Sequence, residues 1–324
     1  MKARIVRLMV TGAVFTLGVL LYISSVQADV FSIDRDSPSA SMRNPADILF
    51  ADGGGPSVGK HVGITGLGLA SGDELDALSQ GLDVVSGIIF FSVDRNSEGE
   101  QIVLEQSILN QEAGDIFVST DALDIMARPQ GFNGLDTNQH RFDLAPLIST
   151  QGDSSNNLLD DLDAYSMEEF DFDLDRTADV PVYFSLRVGS PTLTSLSASA
   201  ADILVYDPDA GLSVAFASGS LGLESDDDLD ALALNVSVGS NAPIAYFSLA
   251  PGSSSLAGIS GSAADIFITG FDGSFHTEYA HSLLGLLSTD NVDALETNPI
   301  PEPASAALVA AAACLLGLWR QRRI

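Results

Sequence analysis

Four carboxylates fall within seven residues at DDDLDAL (226–232), a density that suits either a calcium site or an acid/base pair. Calcium prefers oxygen ligands, and paired carboxyls serve general acid/base catalysis. One part of this stretch recurs: an aliphatic residue followed by Asp-Ala occurs four times, with the aspartates at Asp76, Asp163, Asp230 and Asp293. These four are the candidate site residues, whereas Asp226 to Asp228 are interpreted as a solvated turn leading into Asp230.

Two roles fit the recurring aspartate. If the four Asp-Ala segments are strands that line one axis, four carboxylates would repel one another unless a cation lies among them. This axial ring of Asp76, Asp163, Asp230 and Asp293 would then bind a metal ion, with calcium as the candidate. Alternatively, each aspartate accepts backbone N–H groups at a tight turn and is purely structural. The sequence leaves both roles open.

The Asp-Ala pairs belong to a longer repeat. A Phe-Ser motif recurs at VFSID (30–34), IIFFSVD (88–94), VYFSL (182–186) and AYFSL (245–249), and a small-residue-Asp-Ile motif recurs at 46–50, 114–118, 201–205 and 264–268. The step from Asp202 to Asp265 is 63 residues, the same as from Asp230 to Asp293. The chain therefore contains four units of about 65 residues. Their approximate bounds are 30–85, 86–165, 166–235 and 236–297.

The units predict an all-β fold. Short segments rich in Val, Ile, Phe and Tyr alternate with Gly, Ser, Pro and Asp clusters, and no segment sustains a helical period. Radial repetition of such units predicts a four-bladed β-propeller, with a β-solenoid or a β-sandwich as alternatives. The domain begins with a Phe-Ser strand (30–34) and ends with an Asp-Ala strand (291–295), so we expect its two ends to complete one blade together.

The order of motifs within a unit resembles a hemopexin-type propeller blade, in which an aliphatic-Asp-Ala strand lines the axis and an aromatic strand follows. The resemblance implies that Asp76-Ala77, Asp163-Ala164, Asp230-Ala231 and Asp293-Ala294 lie at the axis. This chain departs from that family because no disulfide joins its ends and no Tyr-Trp pair occupies the third strand. The resemblance therefore concerns architecture.

Both ends of the chain carry export signals. Lys2, Arg4 and Arg7 precede an apolar run, and the small residues before Asp29 predict signal-peptidase cleavage after Ala28. An uncleaved anchor is the alternative for residues 1–28. At the other end, ASAALVAAAACLLGLW (304–319) predicts a transmembrane helix without a polar face.

The tail also resembles the PEP-CTERM sorting signal of Gram-negative bacteria. Pro301-Glu302-Pro303, a short apolar helix and the cluster Arg320, Arg322 and Arg323 occur in the order typical of that signal. The resemblance implies recognition and processing by an exosortase in the inner membrane. Residues 299–324 would anchor the chain there until sorting releases it to the cell surface or the medium, with the arginines on the cytoplasmic side.

The charge of the remaining chain excludes several partners. Six of the 14 basic residues lie in 1–28 and 304–324, so residues 29–303 carry 8 basic against 44 acidic residues, a formal charge of −36. Such a surface repels nucleic acid and anionic lipid and attracts divalent cations. A solvated acidic coat that maintains solubility is the alternative. The single cysteine, Cys314, lies in the tail, so residues 29–298 have no thiol chemistry.

Other motifs fail on geometry. Asp171, Asp173 and Asp175 resemble the start of an EF-hand loop, but Arg176 and Val182 replace the obligatory Gly and Glu. Gly55 to Gly59 matches a nucleophile elbow, yet the glycine-rich sequence after it does not predict a helix. The four histidines, none of them at zinc-ligand spacing, are His61, His140, His276 and His281.

We therefore expect an exported, non-enzymatic acidic repeat protein of the cell envelope or extracellular matrix. Residues 29–298 would act as a structural or interaction module, with a matrix component as partner and calcium as candidate ligand. The alternative is a secreted hydrolase whose site lies in the divergent second repeat, where EGEQIVLEQSILNQEAG and LISTQGDSSNN are inserted.

Overall fold

The computed structural model describes residues 30–51, 58–62, 67–79, 89–95, 97–99, 103–104, 107–108, 112–119, 139–143, 160–167, 181–236 and 242–297. Residues Ala28–Thr297 form one compact unit. The predicted signal peptide and sorting tail lie outside the described residues. Within the ranges given above, no helix has both the length and the apolar composition needed to cross a bilayer.

The all-β prediction is confirmed, because the described residues form four antiparallel sheets of four strands each. Sheet 1 contains, in spatial order, β16 (Val292–Glu296), β1 (Val30–Ile33), β2 (Ile48–Ala51) and β3 (Val58–Val62). Sheet 2 contains β4 (Leu75–Ser79), β5 (Ile89–Val93), β6 (Asp115–Ser119) and β7 (Gln139–Asp143). Sheet 3 contains β8 (Leu162–Met167), β9 (Val182–Leu186), β10 (Ile203–Asp207) and β11 (Gly211–Phe216). Sheet 4 contains β12 (Leu229–Asn235), β13 (Ile244–Leu249), β14 (Ile266–Thr269) and β15 (Phe275–Tyr279).

Every sheet starts with an Asp-Ala strand and continues with a Phe-Ser strand. The sequence units begin one strand later, so the Asp-Ala strand that ends each unit opens the next sheet. In sheet 1 this strand is β16, which pairs antiparallel with β1 and places Phe31 opposite Leu295. The two ends of the domain therefore share one sheet, as the order of the motifs predicts.

The first strands are more deeply buried than the last strands of sheets 3 and 4. All five residues of β4 are buried, whereas β15 and β11 contain only exposed or half-buried residues. The first strands contact one another in the order β4–β8, β8–β12, β12–β16 and β16–β4. A strand buried on both faces needs mostly apolar residues on each face, which explains why the Asp-Ala and Phe-Ser strands lack a simple polar alternation.

Hydrophobic clusters fill the spaces between successive sheets. One cluster joins sheets 1 and 2, another joins sheets 2 and 3, a third joins sheets 3 and 4, and the fourth joins sheet 4 back to sheet 1. The Phe of each Phe-Ser motif is fully buried in them; these residues are Phe31, Phe91, Phe184 and Phe247. Burying each such ring contributes roughly 1.5–3 kcal/mol.

The serine of the Phe-Ser motif links each sheet to the next. Its hydroxyl donates a hydrogen bond to the carbonyl of the residue that precedes the ring aspartate in the following sheet. The bonds are Ser32 to Leu75 (3.0 Å), Ser92 to Leu162 (3.4 Å), Ser185 to Leu229 (3.0 Å) and Ser248 to Val292 (2.7 Å). The last bond runs from sheet 4 to β16 of sheet 1, so the series returns to its start.

Short helices connect the strands in the described segments. The α-helices are α1 (Pro191–Leu196), α2 (Ser218–Leu221) and α3 (Ser254–Ile259), and the 3-10 helices are Pro38–Met42 and Glu112–Gly114. Pro38–Met42, α1 and α3 each follow the second strand of a sheet. α1 and α3 both end at a serine in the left-handed conformation, Ser197 and Ser260. The Leu-Gly-Leu segment of the third unit follows a strand, β11, and contains the end of a helical turn, α2.

Candidate cation-binding site at the end of the first strands

A β-bulge occurs at each of the four aspartates of the axial ring. In sheet 2 the pairing passes from Leu75 opposite Val93 directly to Ala77 opposite Ser92, leaving Asp76 as the extra residue. The same skip occurs at Asp163, Asp230 and Asp293. A bulge re-aims the side chain of the extra residue. At every bulge the carbonyl of the residue before the ring aspartate accepts a hydrogen bond from the Phe-Ser serine of the previous sheet.

The ring aspartates are buried and close enough to interact. Between 5% and 7% of each residue is exposed. Burial is the main cause that raises the pKa of Asp163, followed by the charges of Asp228, Asp230 and Asp76. Burial likewise raises the pKa of Asp293, followed by Asp76 and Asp230. The charges of two other ring aspartates therefore act on each of these two carboxyls.

Several ring oxygens have no hydrogen-bond partner. The Oδ2 atoms of Asp76, Asp163 and Asp293 are buried and unpaired. The fourth member differs, because Asn291 donates its Nδ2–H to Oδ2 of Asp230. Even with this bond, burial raises the pKa of Asp230 to about 8. Buried polar atoms without partners are rare in folded proteins and call for a specific explanation.

Two further positions of the repeat lie beside each ring aspartate. One is the second residue after the Phe-Ser serine, and the other is the second residue before the ring aspartate of the next sheet. We call each set of three a junction, numbered by the two sheets that it joins. The sets are Asp293, Asp34 and Glu74 at junction 1–2; Asp76, Asp94 and Asp161 at junction 2–3; Asp163, Arg187 and Asp228 at junction 3–4; and Asp230, Ala250 and Asn291 at junction 4–1.

Junction 2–3 has the geometry of a metal site. One carboxylate oxygen from each of Asp76, Asp94 and Asp161 lies within 4.8 Å of the other two. Among the described residues, no other three His, Cys, Asp or Glu side chains bring ligand atoms this close. Of the sequence-predicted metal ligands, only Asp76 belongs to this group. Asp163, Asp230 and Asp293 lie farther apart than direct coordination of one ion by three ring carboxylates would need.

Arginines partly neutralise junction 2–3. Arg95 Nε lies 3.1 Å from Asp161 Oδ2. Arg187 Nη1 lies 3.4 Å from Asp94 Oδ1 and 3.5 Å from Asp161 Oδ2. Burial still raises the pKa of Asp161 to about 7, against the lowering effect of the two guanidinium groups and with a smaller contribution from the charge of Asp94. Arg35, which also pairs with Glu74, lies 3.0 Å from Asp94 Oδ2, whereas Asp76 has no arginine partner among the ion pairs of the described residues.

The other junctions have closer contacts within the chain or fewer acids. At junction 1–2, Arg35 Nε lies 2.6 Å from Glu74 Oε2, and the Arg35 backbone N–H donates to the same carboxylate. At junction 3–4 an arginine, Arg187, replaces the middle acid, and Val188 N–H donates to Asp228 Oδ2. At junction 4–1 the uncharged Ala250 and Asn291 leave a single acid.

The interpretation of Asp226 to Asp228 as a solvated turn is wrong for the central residue. Asp227 is only 2% exposed and accepts bonds from the Glu224 and Ser255 N–H groups. Its position is acidic in every unit, where Asp73, Asp160 and Asp290 accept comparable bonds from the loop after the second strand. These aspartates hold that loop to the start of the sheet. The pattern D-x-aliphatic-D-A carried this signal in the sequence.

The Asp-Ile aspartates also hold loops. Asp202 accepts the Ser199 and Ser218 N–H groups. Asp265 accepts the His281 N–H group, and its Oδ1 lies 2.7 Å from His281 Nδ1. Ser262 Oγ lies 3.4 Å from the same Nδ1. Because serine and aspartate share one ring nitrogen, the histidine cannot relay a proton between them as a catalytic triad does.

The structure does not test most of the other candidate sites that the sequence offers. The acidic run at 171–175 and the glycine-rich turn at 55–57 lie outside the described residues. Most of the two insertions, on which the hydrolase alternative depends, lie outside them as well. His276 is an exposed residue of β15, 4.0 Å from Glu278.

The sequence motifs alone do not identify the residues that distinguish junction 2–3. Asp94 and Asp161 lie outside the Asp-Ala pairs, and Arg187 belongs to the next junction. What these three residues share in the sequence is their position, either two residues after a Phe-Ser serine or two residues before a ring aspartate. The packing of adjacent sheets shows that such positions lie together.

Comparison with known proteins assigns neither a family nor a function to this chain. No family model matches the chain, and no curated protein matches it.

Proposed function

We infer that residues 30–297 form a closed four-bladed β-propeller. Three features support closure: the pairing of β1 with β16, the serine bonds that return to sheet 1, and the hydrophobic cluster between sheets 4 and 1. Cyclic contact among the four first strands favours this arrangement over a solenoid, whose end coils would not meet. A propeller held by its own termini needs no disulfide.

The propeller serves an exported chain as a structural or interaction module of the cell envelope or matrix. The signal peptide directs export, and the tail provides temporary anchorage in the inner membrane until an exosortase processes it. The acidic surface favours cationic partners and opposes nucleic acid. The near-equivalence of the four sheets supports a scaffold rather than an enzyme, because one sheet of an enzyme would carry the catalytic residues.

The axial ring binds a divalent cation, with calcium the leading candidate. The observation that carries this proposal is the set of buried, unpaired Oδ2 atoms of Asp76, Asp163 and Asp293. The ring is too wide for three of its carboxylates to coordinate one ion directly, so the ion would keep part of its water shell. Carboxylates and water together are normal ligands of calcium.

Thermal unfolding of the purified full chain tests the cation proposal. Calcium at about 100 times its Kd should raise the unfolding midpoint by about 5–10 °C relative to EDTA, because it binds only the folded state. Asp293→Asn should reduce this increment while leaving the fold intact. The exposed Asp209→Asn provides a matched loss of one negative charge and should keep the full increment. Equal midpoints in calcium and EDTA would exclude the cation role.

Processing of the chain tests the export proposal. In a Gram-negative host that has an exosortase, the mature protein should begin at Asp29 and lack residues 304–324, as measured by intact mass. Ala28→Arg should retain the N-terminal segment because signal peptidase requires a small residue before the cleavage site. Replacing Arg320, Arg322 and Arg323 by glutamine should retain the tail. A mature protein of full mass in the unaltered chain would contradict both signals.

A further inference from the structure

We propose that junction 2–3 is a second cation site, at which Asp76, Asp94 and Asp161 coordinate one divalent ion directly. On binding, this ion displaces the guanidinium group of Arg187. The inference deepens the proposed cation binding: the junction shares Asp76 with the axial ring, whereas Asp94 and Asp161 lie outside the ring. The internal repeat supplies the comparison: the four junctions occupy equivalent positions of the repeat, and among them only junction 2–3 brings three carboxylates within coordination distance.

The spacing suits an ion of the calcium class. Calcium binds oxygen at about 2.4 Å, so two ligands of one ion lie at most about 4.8 Å apart. The three oxygens at junction 2–3 meet that limit. All three ligands are carboxylates, which favours calcium, magnesium or manganese over zinc or copper.

Unpaired atoms at the junction provide independent support. Asp76 is 5% exposed, and its Oδ2 has no partner. Asp161 has a fully buried side chain, and its Oδ1 accepts no hydrogen bond, while Arg95 contacts the other oxygen. Each of these two aspartates therefore has a buried oxygen without a hydrogen-bond partner that it can offer to an ion.

Arg187 contacts two of the three proposed ligands and would compete with the ion for them. It approaches Asp94 and Asp161 from junction 3–4 at 3.4 and 3.5 Å. These distances exceed the roughly 2.7–2.9 Å of a strong charged hydrogen bond. About half of its side chain is exposed, 52%, so the guanidinium can withdraw into water. Its departure would free Asp94 Oδ1 as the third ligand, while Asp94 Oδ2 stays 3.0 Å from Arg35.

The other junctions explain why one site is expected instead of four. Arg35 satisfies Glu74 at junction 1–2, and Arg187 supplies the middle residue at junction 3–4. Junction 4–1 has one acid, bonded to Asn291. A second ion at any of these places would displace a closer contact or find too few ligands.

Calcium titration calorimetry of the purified full chain at pH 8 tests the proposal. The unaltered protein should bind calcium at the junction site, and Asp94→Asn or Asp161→Asn should weaken that site at least about 30-fold. Arg187→Gln should tighten it about tenfold, because the competing cation is gone. Asp209→Asn should change it less than about threefold.

Variants of the axial ring separate this inference from the proposed function. If Asp230→Asn abolishes binding and Asp94→Asn leaves it intact, the ring is the site and the junction is overturned. If Asp94→Asn abolishes binding and Asp230→Asn does not, the junction stands and the ring fails. No heat of binding up to about 10 mM calcium, roughly ten times the Kd of the weakest extracellular sites (about 1 mM), would overturn both.

Unfolding in EDTA separates a ligand role from a structural one. If Asp94 serves only as the partner of Arg35 and Arg187, Asp94→Asn should lower the midpoint in EDTA. If Asp94 is a ligand in a crowded group of carboxylates, the same change should leave that midpoint unchanged or raise it. A lowered midpoint together with unchanged calcium affinity would overturn the junction site.

Discussion

A chain that ends at Asn291 is expected to lose cooperative folding, because this truncation removes β16. Val292, Ala294 and Leu295 are no more than 1% exposed and belong to the cluster between sheets 4 and 1 or to that between sheets 1 and 2. Their loss also removes the carbonyl that accepts the Ser248 hydroxyl and exposes the backbone edge of β1. Removing two large buried aliphatic side chains alone costs about 4–10 kcal/mol, comparable to the whole stability of a typical domain.

Circular dichroism during heating, with a second truncation as control, measures this effect. A chain that ends at Thr297 keeps β16 and lacks the tail, so it should melt cooperatively at the midpoint of the parent. The chain that ends at Asn291 should show a broad transition or none. A sharp transition within a few degrees of the control would mean that β16 does not close the ring and that the other three sheets are stable without it.

The second large effect is a loss of stability with rising pH in the absence of divalent ions. Burial raises the pKa of the ring carboxyl of Asp230 to about 8 and that of Asp161, at junction 2–3, to about 7. The unfolded chain releases these protons near pH 4. Between about pH 4 and 8 the folded state therefore holds more protons than the unfolded state, and the free energy of unfolding falls as pH rises.

The size of the effect follows from the shift. An increase of about four pKa units at Asp230 corresponds to on the order of 5 kcal/mol, fully lost above pH 8. The interacting carboxyls titrate together, so their separate shifts do not add. The direction is opposite to that of most proteins, in which salt-bridged carboxylates make stability fall in acid.

Urea unfolding in EDTA between pH 4.5 and 8.5 measures this dependence. Asp230→Asn should flatten the curve because asparagine does not titrate, whereas Asp209→Asn should leave it unchanged. Calcium should restore stability mainly at the alkaline end, where the carboxylates are charged. Stability that rises from pH 4.5 to 8.5 in EDTA would contradict the pKa directions given for the buried aspartates.

Local sequence patterns predicted the strands well. Val-Ile-Phe-Tyr segments bounded by Gly, Ser and Asp became strands because burial on both faces requires mostly apolar residues on each face. The spacing of the Phe-Ser and Asp-Ala motifs predicted that the first and last strands share a sheet. The repeat itself was informative, since a residue type that recurs at the same position in four units is required by the fold.

The roles of individual polar residues were harder to predict. Asp227 looked like part of a solvated turn, yet it is buried and holds a loop, because a carboxylate that accepts several N–H groups can leave water without losing partners. The serine of Phe-Ser appeared to be only a small residue in a strand. Its partner is a carbonyl 44 residues away for Ser185 and Ser248, a separation that no local pattern encodes.

The sequence alone determined the class of fold, the fourfold repeat, the export signals as predictions, and the fact that one aspartate recurs at a fixed place. These depend on composition, period and order along the chain. The tertiary structure decided which aspartates lie together: Asp76 meets Asp94 and Asp161 because a bulge turns its side chain and the next sheet brings a second acidic strand end beside it. Proximity between sheets depends on packing, and so does the burial that raises the pKa of these carboxyls.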